Sequence, residues 1–89
     1  MGFSSFVIEN QNPNKATVIV AGFKGPVPIQ YGESHTFPVG SGYDVASEGR
    51  VLFDVSLFTP EGPLEVKPRD NFNPEKFKVF VTVQTEKTD

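Results

Sequence analysis

His35 is the only histidine in this 89-residue chain, which has no cysteine and no tryptophan. A hydrolytic triad needs a nucleophile, a base and a residue that orients the base. The neighbours of His35 that qualify by type are Ser34, Ser41 and Asp44. On an extended strand adjacent side chains point to opposite faces, and no Gly-x-Ser-x-Gly elbow occurs, so nearness in sequence does not assemble a triad. Glu33 and His35, two apart, project to one side of a strand, but a transition-metal site needs a further imidazole or thiolate that is not there.

Oxygen chemistry fares little better. Asp44 and Glu48, with Ser41 and Ser47, could offer oxygens to calcium, yet their spacing matches no EF-hand. The 11 acids fall in scattered turns and single out no pair for glycoside hydrolysis. Gly22-Phe23-Lys24-Gly25 lacks the rest of a phosphate-binding loop and the helix that should follow it. The expectation is a protein that is not an enzyme and holds no metal or cofactor.

The elements that would position these residues are strands. Eight prolines and 8 glycines cut the chain into short apolar runs, and helix is expected only as one turn capped by Asn73 before Pro74-Glu75-Lys76. Phe3 to Glu9 and Ala16 to Ala21 read as strands, joined as a hairpin through Asn10-Gln11-Asn12-Pro13-Asn14-Lys15. The second is apolar on both faces except at Thr17, as for a strand between layers or at an interface. Gly22 to Gly32 carries Pro26 and Pro28, which cannot donate ladder bonds, so it reads as an edge at best and more naturally as a connection between sheets.

His35 to Val39 reads as a short strand and Gly40 to Asp44 as loop. Arg50 to Phe58 is the clearest strand, with Val51, Phe53, Val55 and Leu57 on one face and Leu52, Asp54, Ser56 and Phe58 on the other. Thr59-Pro60-Glu61-Gly62 suits a type I turn that returns the chain through Leu64 to Lys67. Phe77 to Thr85 closes the set, with Phe77, Val79, Val81 and Val83 opposite Lys78, Phe80, Thr82 and Gln84.

Hydrophobic residues at 37%, including 9 Phe, supply one core, so residues 1–89 are expected to form a single domain. Six or seven short strands predict an all-β fold: a small antiparallel two-sheet sandwich of immunoglobulin-like Greek-key type, with a small β-barrel as the alternative. Asn73-Pro74-Glu75-Lys76 followed by Phe77 to Thr85, with the early Asn12-Pro13, resembles major sperm protein domains. That resemblance covers less than a quarter of the chain, implies an interaction and assembly module, and transfers no functional residue.

The net charge of −3, from 8 Lys+Arg against 11 Asp+Glu, comes without a basic cluster and argues against nucleic acid as a partner. No run of about 18 apolar residues and no basic leader is legible, so neither a membrane span nor a signal peptide is expected and the cytoplasm is favoured over export. Leu52, Phe58 and Phe80 place large apolar groups on faces that an isolated sandwich gives to water, which predicts an interface with a protein, self or other. The alternative is a small carbohydrate-binding module that presents Tyr31, Tyr43 and Asp44 from loops to a glycan.

Overall fold

The computed structural model describes residues 3–22, 25–38, 40–57, 64–70 and 72–85. Its eight strands are β1 (Phe3–Asn10), β2 (Val18–Gly22), β3 (Gly25–Ile29), β4 (Ser34–Pro38), β5 (Gly40–Ser47), β6 (Arg50–Leu57), β7 (Glu65–Pro68) and β8 (Val79–Thr85). They form two antiparallel sheets, one of three strands in the order β4-β1-β8 and one of five in the order β3-β2-β5-β6-β7. The fold is an all-β two-sheet sandwich, as the strand periodicity predicts. No helix among the described residues is long and apolar enough to cross a membrane.

Period-two alternation builds the core from both sheets. Phe6 and Ile8 of β1, with Phe37 of β4 and Val79 of β8, face Val18, Val20, Ile29, Val45, Phe53 and Val55 of the larger sheet. Phe6 packs against Phe37 and meets Tyr43 edge-on, their centroids 5.6 and 5.2 Å away. Phe53 meets Phe72 edge-on at 5.2 Å, which covers the sandwich where the chain passes from β7 back to β8. On the apolar faces of the two clearest strands, Phe53, Val55 and Val79 are buried and Val81 is partly so.

The structure corrects the sequence reading at four points. β1 and β2 lie in different sheets and make no hairpin. The Asn10 to Lys15 segment is a crossing, because Asn10 and Asn12 are fully buried and spend their side chains on backbone from other elements. Gly25 to Ile29 is a strand in its own right, at the edge that its prolines allow. The Gly40 to Asp44 stretch is strand, since β5 absorbs an extra residue between its pairings of Gly40 with Leu57 and Tyr43 with Val55. Gly42 lies in that bulge with φ 76°, a conformation costly for other residues.

The fourth correction concerns β6. Val45 pairs with Phe53 and the next residue, Ala46, pairs with Val51, so Leu52 is the extra residue of a second bulge. The bulge turns Leu52 inward beside Phe53, and both are buried. Ser47 and Arg50 close the β5–β6 hairpin over Glu48 and Gly49, whose φ values of 55° and 77° suit the tight turn that matches strand twist. The capped turn expected at Asn73 is present: its carbonyl accepts from Lys76 and Phe77, and its Oδ1 accepts from Glu75.

Truncating Phe53 removes a fully enclosed ring and strands the Phe72 edge contact. Phe53→Ala is expected to cost about 3 to 5 kcal/mol in denaturant unfolding. A loss below about 1 kcal/mol would show that this ring is not central to the core.

Candidate interaction surface

The residues singled out by type do not converge. His35 is exposed on edge strand β4, its ring 4.7 Å from Phe37. Glu33 turns its carboxylate to the Gln30 N–H, 3.1 Å away, and so closes a turn rather than joining the imidazole. Among the described residues no three His, Asp or Glu side chains gather where a metal ion could sit. Glu48 accepts from Asn14 Nδ2 at 2.8 Å, far along the hairpin from Asp44.

The proposed glycan loop does not form. Tyr43 is only 6% exposed, its ring packs on Gly22, and its hydroxyl donates to the Pro38 carbonyl at 3.3 Å. A Cβ added to Gly22 would stand 2.7 Å from that ring. Tyr31 is exposed in a separate turn, with Lys15 Nζ 5.8 Å from its ring centre. Tyr43 and Tyr31 therefore cannot flank one sugar.

Asp44 lies on β5 directly opposite Asp54 of β6, and Arg69 forks onto Asp54 with bonds of 3.1 and 3.3 Å. The side-chain hydrogen bond between the two acids holds the Asp44 carboxyl above its ordinary value, with desolvation and the Asp54 charge adding to the effect. The same bond and the Arg69 guanidinium hold Asp54 below its ordinary value. The two acids are thus pushed in opposite directions, and Arg69 sits on the one that is lowered. Both acids face solvent on the outer side of the sheet, so the contact organises a surface and does not activate a base.

An apolar cleft of about 230 Å³ opens between edge strands β3 and β4, lined by Val27, His35, Phe37 and Tyr43 among others. Among the described residues the titratable groups in its wall are His35 and the tied-down Tyr43, so it offers contact and little chemistry. On the outer side of the large sheet, Pro28, Ile19 and Ala46 pair in one row, with Ile19 42% exposed. The strand that read as apolar on both faces is therefore buried on one and open on the other.

Of the three residues expected at an interface, each has a different outcome. Leu52 is core, as its bulge dictates. Phe58 lies outside the described residues. Phe80 is 50% exposed on the outer face of the small sheet, across from Glu9.

The backbone beside Phe80 carries the feature that residue types alone do not reveal. Asn10 donates to the Glu33 carbonyl and accepts from Gly32, while Gln11 donates to the Lys78 carbonyl. Even-numbered residues of β1 thus bond towards β4 and odd-numbered ones towards β8. With Glu9 paired to Phe80 and Val7 to Thr82, β8 bonds inward through its even positions. Val79, Val81 and Val83 turn their N–H and C=O groups outward, and among the described residues nothing pairs with them.

The other three edges are guarded. In β3, Pro28 stands opposite Ile19 and Pro26 opposite Ala21, so both outward positions lack a donor. In β7, Arg69 donates to the Leu52 carbonyl, which leaves Val66 and the donor-free Pro68 facing out. In β4, Ser34 and Thr36 face out, followed by Pro38, whose carbonyl already accepts from Tyr43. Alternating Pro26 and Pro28 were the legible sign of a guarded edge, and the run Val79 to Thr85 without proline or charge was the sign of an unguarded strand.

The chain matches no family model, no curated protein and no solved structure at a significant level. The likeness to major sperm protein domains therefore gains no support from those comparisons.

The acid pair gives a direct check on the outer sheet face. Replacing Asp54 with Asn removes the carboxylate that holds the Asp44 proton, so the Asp44 titration midpoint should fall towards or below its ordinary value. Carboxyl carbon shifts followed through acid pH read this. An unmoved Asp44 midpoint would show that Asp54 is not what raises it. Because a raised Asp44 favours the fold only below that midpoint and a lowered Asp54 only above its own, the two contributions oppose each other in acid.

Proposed function

We propose that the protein is a non-catalytic interaction module that accepts an extended protein segment along the free edge of β8, beside the exposed Phe80. The observation that carries this reading is the row of outward N–H and C=O groups at Val79, Val81 and Val83, unpaired among the described residues. Added strands gain affinity from main-chain hydrogen bonds and selectivity from alternate side chains. Phe80 supplies an apolar anchor on the outer face, next to Thr82 and Glu9. The scatter of titratable groups elsewhere favours a binding role over chemistry.

A direct test uses short, fluorescently labelled extended peptides, with anisotropy measured at dilute protein concentration. The Val81 nitrogen faces away from β1, so Val81→Pro deletes the central outward donor without breaking an internal ladder bond. The wild type should bind saturably, and the variant should bind about tenfold more weakly, a difference of about 1.4 kcal/mol, with unchanged β circular dichroism. Equal binding by the variant, or absence of both peptide binding and self-association, would refute an edge-docking role.

A further inference from the structure

We propose that the occupant of the β8 edge is a second copy of this chain, paired antiparallel about a two-fold axis centred on Thr82. This deepens the edge-docking reading and rests on it. The register follows from which groups are free. Only odd positions of β8 face outward, and antiparallel partners exchange both bonds when two outward residues stand opposite each other. Centring on Thr82 pairs Val81 with Val83 of the second copy and Val79 with Thr85, so all four odd positions of the strand bond on both chains. Shifting the centre to Val81 or Val83 leaves an end position without a partner.

Composition agrees with the same pairing. The strand reads Val-Phe-Val-Thr-Val-Gln-Thr, uncharged and without proline or glycine, in contrast to every other edge among the described residues. The inward valines of the two copies continue one apolar layer, and Phe80 continues the other face.

The symmetry also closes the assembly. A two-fold pairing of β8 with β8 consumes both free edges, joining two three-stranded sheets into one of six strands. The remaining edges carry Pro26 and Pro28, Pro68, and Pro38, so the ladder does not propagate into a fibre. The interface is small, which suits a reversible dimer rather than a permanent one.

Thr82 is exposed, so changing it leaves the monomer fold intact, and it faces its own copy across the axis. Light scattering of the wild type should rise with concentration from 9.8 kDa towards twice that mass. Thr82→Lys should hold the protein at monomer mass, and so should Thr82→Glu, while a mixture of the two should recover dimers at low salt. Thr82→Cys, in a chain without other cysteine, should form a covalent dimer under mild oxidation, because residues opposed in this way bring their Cα atoms within disulfide reach. A wild type that stays monomeric at millimolar concentration yet binds extended peptides would overturn self-pairing and leave the edge-docking reading standing. A dimer that survives Thr82→Lys and fails to cross-link through Thr82→Cys would overturn the register and with it the proposal. Failure of both peptide binding and dimerisation would remove both.

Discussion

Two buried asparagines hold the sandwich together where its sheets part. Asn10 Nδ2 donates to the carbonyls of Ala16 and Ile29, both at 2.9 Å, and its Oδ1 accepts from the Asn12 N–H at 3.0 Å. Asn12 Oδ1 in turn accepts from the Lys78 N–H at 2.9 Å. One short segment thereby ties the end of β1 to the crossing loop, to the end of β3 and to the start of β8. Each of these backbone groups would cost about 1 to 3 kcal/mol if buried without a partner, so the network is a condition of the fold rather than an addition to it. Asn12 Nδ2 is itself buried without a hydrogen-bond partner among the described residues, which shows how tightly the corner is closed.

That corner fixes the surface chemistry of the opposite strand. Because Lys78 is held by Asn12 and by the Gln11 N–H, β8 enters the sheet in one phase only. Its even positions bond to β1 and its odd positions are left to the outside. A shift by one residue would put Phe80 and Thr82 into the core and expel Val79, Val81 and Val83. The apolar inner face and the unpaired outer edge therefore have the same cause. Proline at the outward positions of β3, β4 and β7 shows that unpaired edges are otherwise suppressed in this chain, which makes the bare edge of β8 the one departure from a consistent pattern among the described residues.

The strands were legible because period-two alternation survives wherever a strand is regular, as in Phe77 to Thr85. The errors fall where a local device breaks the period. Leu52 alternates away from Phe53 in sequence, but a bulge rotates it back into the core, and only the pairing of Val45 and Ala46 with Phe53 and Val51 exposes it. Gly40 to Gly42 reads as loop because glycine marks turns, whereas here it lets β5 bulge and carry Tyr43 inward. Asn10 to Lys15 reads as a hairpin turn by composition, yet two of its side chains are buried connectors, and burial of amides has no signature in a single sequence. The composition of β8 was visible, but that it forms an edge depends on strand order, which no local pattern encodes.

Amide hydrogen exchange across β8 tests the account most directly. In dilute solution the Phe80 and Thr82 amides, bonded to β1, should exchange slowly while those of Val79, Val81 and Val83 exchange fast; raising the concentration should slow the second set and leave the first unchanged. Exchange at Val81 as slow as at Thr82 in dilute solution would contradict the free edge itself.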